Sequence, residues 1–152
     1  MSRVNRGVRL AVVCLIAGAG SLVAATKPDP KTLVTPAEAS ALLGGSVTFE
    51  AHDMDKVYPG SLDFSYQTKS VRILSVAVDP LDGPEKLSHM KRDLKEAHPN
   101  AKQAACSVGD ACFMQGEDLF ATKGKWYIHL SAGRESKDKI EDLARKVVSR
   151  LP

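Results

Sequence analysis

The chain has 152 residues, with 21 lysines and arginines against 18 aspartates and glutamates. Arg3, Arg6 and Arg9 supply the whole excess, so a protein trimmed of its first 25 residues carries 18 basic and 18 acidic groups. That balance removes the argument from net charge to nucleic acid, no later block of like charges restores it, and the length suits one domain.

Residues 1–25 have the layout of a secretory signal peptide: three arginines, an apolar run from Leu10, and small residues ending at Ala24 and Ala25. The run is shorter than the roughly 20 residues of a spanning helix. Cleavage near Ala25 is therefore favoured over the alternative, an N-terminal membrane anchor, and the product is expected in the periplasm or outside the cell with no membrane span. Val12 and Val13 stand where a lipid-modified Cys14 would need a small residue, so lipidation is not expected. Residues 26–34, with two prolines and several charges, read as an exposed leader, and residues 35–152 as a single α+β domain.

The first helix is announced by LVTPAEASALLGG: Thr35 as N-cap, Pro36 at the first helical position, Glu38 completing a capping box and Gly44 as the stop. Alternation then marks strands around Val47, Phe49 and Ala51 and around Leu62, Phe64 and Tyr66. VRILSVAV, residues 71–78, reads as the most buried strand. A helix follows from about Pro84 to Ala97, its narrow apolar stripe made by Leu87, Met90, Leu94 and Ala97.

Cys106 and Cys112 are the only cysteines left after cleavage. In an oxidising compartment such a pair is read first as a disulfide. The C-x5-C spacing is neither the redox C-x-x-C nor a zinc pattern, and Ser107, Gly109 and Asp110 let the chain turn back. Closing this loop contributes about 2.4 kcal/mol in the chain-entropy treatment.

Residues 111–115, 118–122 and 125–131 are the next strands, the last two joined by a turn at Lys123–Gly124. A strongly amphipathic helix from about Ser136 closes the chain, with Glu141–Arg145 and Asp142–Lys146 expected as pairs on its solvent side. The order α-βββ-α-βββ-α predicts an antiparallel sheet of about six strands with three helices.

LVTPAEASALLGG, GDACFMQ, KGKWYIHL and the closing LARKVVSRL resemble the small exported domains of bacterial lipoproteins and sensor proteins of the PsbP-like fold. These motifs are caps, turns and core positions, so the resemblance implies a fold and, by analogy, a non-enzymatic binding or sensing module. The mature N-terminus carries no cysteine for a lipid anchor.

No residue set announces catalysis, a metal or a cofactor. His52 and Asp53 in HDMD are neighbours on an extended chain and point to opposite faces. His89 and His98 fall on opposite sides of their helix, and Met90 and Met114 occupy core-like positions. No nucleophile signature such as G-x-S-x-G is present. Lys125, Tyr127 and His129, on the polar side of the last strand, form the best available patch for a partner protein, an envelope component or a small ligand. The alternative is a metal-handling protein or enzyme with a site assembled from distant residues, which convergence of two or more of His52, Asp53, Asp55, Asp118 and His129 would favour. Oligomeric state is open.

Overall fold

A computed structural model describes residues 27–54 and 56–152; the signal-peptide reading falls on residues outside that range. Eleven elements follow in order: α1 (Pro30–Leu33), α2 (Pro36–Leu43), β1 (Val47–His52), β2 (Leu62–Thr68), β3 (Ile73–Asp79), α3 (Gly83–Ala97), β4 (Gln103–Ala105), β5 (Ala111–Gln115), β6 (Asp118–Lys123), β7 (Trp126–Ala132) and α4 (Lys137–Arg150). The strands form one antiparallel sheet in the order β1-β2-β3-β7-β6-β5-β4. The expected α+β class and antiparallel sheet are present, with seven strands and four helices in place of about six and three. The extra strand, β4, is a three-residue edge piece with sequence QAA, too short to show alternation.

The extra helix, α1, falls within the leader expected at residues 26–34, whose Lys27, Asp29, Lys31 and Thr32 are exposed while its last two residues are not. Asp29 caps it by accepting from Lys31 N at 2.9 Å, and Leu33 and Val34 are fully buried. Two apolar residues in sequence can anchor even a four-residue helix when a core is ready to receive them. Tyr66 Oη donates to Val34 O at 2.6 Å and Arg150 Nη1 to Leu33 O at 2.8 Å, so the buried carbonyls are also satisfied.

Period-two alternation gives the sheet two unlike faces. Leu62, Phe64 and Tyr66 on β2, Leu74, Val76 and Val78 on β3, and Trp126, Ile128 and Leu130 on β7 all point to one side. There they meet α1, α2 and the broad stripe Ile140, Leu143, Ala144 and Val147 of α4. Among the described residues the other side is covered by α3 alone, whose Leu87, Met90 and Leu94 pack on Phe113, Phe120 and Tyr127 of β5, β6 and β7. A Cβ on Gly83 would stand 2.5 Å from Trp126 O, so glycine lets the start of α3 press onto β7.

Cys106 and Cys112 are joined as a disulfide across the β4–β5 connection. Inside that loop Val108 is buried in the main core, and Gly109, at φ 63°, brings its backbone against Thr122 O, where a Cβ would collide. Glu141 is buried, not on the solvent side as expected, and takes Arg145 at 2.9 Å and Lys137 at 3.4 Å. Lys146 reaches Glu38 at 3.4 Å instead of Asp142.

Glu38 is the hinge of this packing. It closes the capping box with Thr35 and takes both guanidinium nitrogens of Arg150 at 2.7 and 2.8 Å, fastening α2 to α4. The Arg150 hydrogen bonds, with those from Thr35, hold its carboxyl at about 2 against an ordinary 4.5, with partial burial opposing. Because the folded value lies below the unfolded one, this stabilisation is complete above about pH 4.5 and disappears as pH falls to about 2. Glu38→Gln is expected to cost about 1.5 kcal/mol at neutral pH in urea unfolding, and the gap from the parent should close on acidification towards pH 2.

Candidate functional site

Among the described residues α3 spans β5 to β7, and no helix lies on the same side of β1 to β3. Most residues there are polar or small and half-buried, Asp63, Ser65 and Gln67 on β2 and Ser75, Ala77 and Asp79 on β3, with Ile73 exposed at the start of β3. Register joins them into rows across the sheet. One row runs Glu50, Ser65, Ser75, Ser131, Asp118, Gln115, Gln103, polar on every strand. The next runs His52, Asp63, Ala77, His129, Phe120, Phe113, passing from open sheet to the aromatic floor under α3.

His129 sits where these regimes meet. Its ring stacks on Phe120 at 4.5 Å with 5° between planes, and Phe120 stacks on Phe113 at 4.8 Å. Nε2 donates to Asp118 Oδ1 at 2.9 Å, so ring and carboxylate fix each other on adjacent strands. The His129 hydrogen bond is the main reason the Asp118 carboxyl lies below its ordinary 3.8; burial opposes it, and the Ser131 hydroxyl assists.

Two hollows flank this pair. The larger, about 590 Å³, lies over the open ends of β3 and β7 and is lined by the β2–β3 turn, Ile73, Ser75, Glu117, Ser131, Gly133 and Arg134. The smaller, about 370 Å³, lies along α3 between Asp82, Lys86, His89, Asp93 and Tyr127. At its edge Lys86 pairs with Asp79 and stands 5.5 Å over the Tyr58 ring. Tyr127 Oη is buried without a hydrogen-bond partner, and burial, aided by Asp118 and Asp79, raises its phenol above the ordinary 10. A third hollow of about 440 Å³ between α2 and α4 has its charges already engaged, Lys146 with Glu38 and Asp142 with Arg145.

The expected patch of Lys125, Tyr127 and His129 is divided by this arrangement. Lys125 precedes β7 and leans over the Trp126 ring at 6.0 Å. Tyr127 is 9% exposed beneath α3, and His129 alone is half-exposed. A strand face offers a patch only where no helix lies on it, and α3 ends the patch between residues 127 and 129. His52 lies opposite Asp63, His89 is 3.8 Å from Glu85, and Met90 and Met114 pack on opposite faces of the sheet. Of the five residues whose convergence would favour an assembled site, Asp118 and His129 meet. Asp55 lies outside the described residues, and among those described no group of three or more His, Cys, Asp or Glu could hold a metal ion.

Sequence reading missed Ser75, Ser131, Glu117 and Arg134, which carry no motif and are gathered by strand register and two turns. Compared with known protein families, with curated proteins and with solved structures, the chain finds no match. The resemblance to PsbP-like domains therefore rests on the motif residues alone.

Replacing His129 with Asn removes the main cause of the low Asp118 carboxyl. Carboxyl carbon NMR should show Asp118 titrating higher in His129→Asn than in the parent; coincident curves would contradict the pairing.

Proposed function

We propose that this chain is an exported, non-enzymatic domain that binds a ligand on the uncovered half of its sheet, between α3 and the β2–β3 turn. The observation that carries the reading is the large open-ended hollow built on Ser75 and Ser131, with charged groups at its rim and a polar row behind it. Its size falls in the range of small-molecule sites. Export is supported by the signal-like residues 1–25 and is compatible with a disulfide in an oxidising compartment.

The Asp118–His129 pair supports a second reading, acid–base catalysis. An aspartate bonded to one imidazole nitrogen is one half of a hydrolytic relay, but that relay needs a nucleophile on the other nitrogen. Ser131 hydrogen-bonds Asp118, the wrong member of the pair. The binding reading therefore has the better support, and His129 serves to fix Asp118 beside Ser131.

Screening the isotope-labelled protein by NMR against a library of small polar fragments tests this. Shift changes are expected to gather at Ile73, Ser75, His129 and Ser131, with chromogenic ester and peptide hydrolysis at buffer background. Changes gathered on the α2–α4 side, or a hydrolytic rate abolished by His129→Asn, would contradict it.

A further inference from the structure

The 590 Å³ hollow carries two unpartnered charges of opposite sign. Arg134 and Glu117 are both exposed and neither has an ion pair or hydrogen bond among the described residues. The other guanidinium in the lining, Arg72, is committed: it donates to Leu43 O at 2.6 Å and pairs with Glu135. Glu117 reaches over the end of β7, its Oε2 lying 3.1 Å from where a Cβ on Gly133 would stand.

Apart from Arg72 the rest of the lining is hydroxyl, hydrocarbon and glycine. Ser75 and Ser131 are cross-strand partners on the floor, and Val71 and Ile73 stand at the rim, 68% and 40% exposed. Exposed aliphatic side chains beside a hollow leave apolar area for a ligand to cover.

The backbone adds an independent observation. Three non-glycine residues described have positive φ, and two of them, Val71 at 61° and Arg134 at 69°, line this hollow. Both occupy turns where glycine or asparagine would be relaxed, and a β-branched residue in this region is a true outlier. Left-handed residues kept against their preference gather at functional sites. Here the strained positions are the ones that supply the aliphatic rim and the free cation.

Resting on the binding reading above, we infer that the ligand is a short apolar peptide with both ends free. Its carboxylate meets Arg134, its ammonium meets Glu117, its backbone meets the Ser75 and Ser131 hydroxyls, and its side chains lie on Val71 and Ile73. The volume suits roughly two or three residues. A carboxylate on guanidinium and an ammonium on carboxylate are the charge-assisted bonds that give orientation.

Titration calorimetry of the full chain with dileucine, its C-terminal amide and its N-acetyl form tests the assignment. Dileucine is expected to bind, and each cap to weaken binding about tenfold. In Arg134→Met the amide and the free acid should bind alike; in Glu117→Gln the acetylated and free amines should. Both residues are exposed, so these variants fold. Val71→Asn, which accepts positive φ, should raise Tm by roughly 3 °C while weakening dileucine at least threefold. No binding of dileucine at 10 mM, roughly the weakest affinity such a site would show, overturns the inference, as do caps without effect or a Val71→Asn variant of undiminished affinity. If fragments still map to Ser75 and Ser131 while dileucine fails, only the ligand class falls; if both fail, the binding reading falls with it.

Discussion

Everything distinctive here follows from the width of one apolar stripe. Leu87, Met90 and Leu94 give α3 one narrow line of contact, enough for the aromatic floor of Phe113, Phe120 and Tyr127 and no more. An uncovered sheet face in water must be polar. On β2 and β3 it is mostly polar, with Ile73 and Ala77 the apolar exceptions, while the reverse face of the same strands is apolar except for Thr68 and is buried by α1, α2 and α4. The open bed is thus a consequence of unequal helix coverage, and its boundary passes through β7 between Tyr127 and His129.

The closed side shows what fastens such an asymmetric sheet. Glu38 joins the α2 cap to Arg150, and Arg150 also holds the carbonyl of Leu33, so three helices share one charged clamp at the rim of the main core. At the opposite edge the disulfide fixes the loop that inserts Val108, and Lys137 and Arg145 of α4 donate to the carbonyls of Ala105 and Ser107. The open face therefore rests on a floor fastened from behind at both ends. That is the arrangement preorganised recognition needs.

Local chemistry made much of the fold legible. The capping box at Thr35–Glu38, the Gly44 stop, the alternation in β2 and the α4 stripe all act over a few residues and are written in order along the chain. Leu33 and Val34 were hidden because prolines and charges surround them, and β4 because three residues carry no period. The candidate site was harder for a different reason. Asp118 and His129 meet only through the β6–β7 register, and Ser75 joins Ser131 only because β3 pairs with β7 over a long excursion through α3. Nor does composition announce that Val71 and Arg134 take positive φ, since the residues there are the ones that normally avoid it. What could have been read is the set of polar or small residues, Asp63, Ser65 and Gln67 on β2 and Ser75, Ala77 and Asp79 on β3, alternating with large apolar ones, the pattern of a half-covered sheet.

The central claim is that one half of the α3 side is open to solvent while the opposite face of the same strands is sealed. Methyl NMR with a soluble gadolinium chelate tests it within single strands. Ile73 and Ala77 should broaden strongly, while Leu74 and Val76, their neighbours in β3, should be unaffected. Equal protection of all four methyl-bearing residues would mean that something covers the bed, and this account of the fold and its site would be wrong.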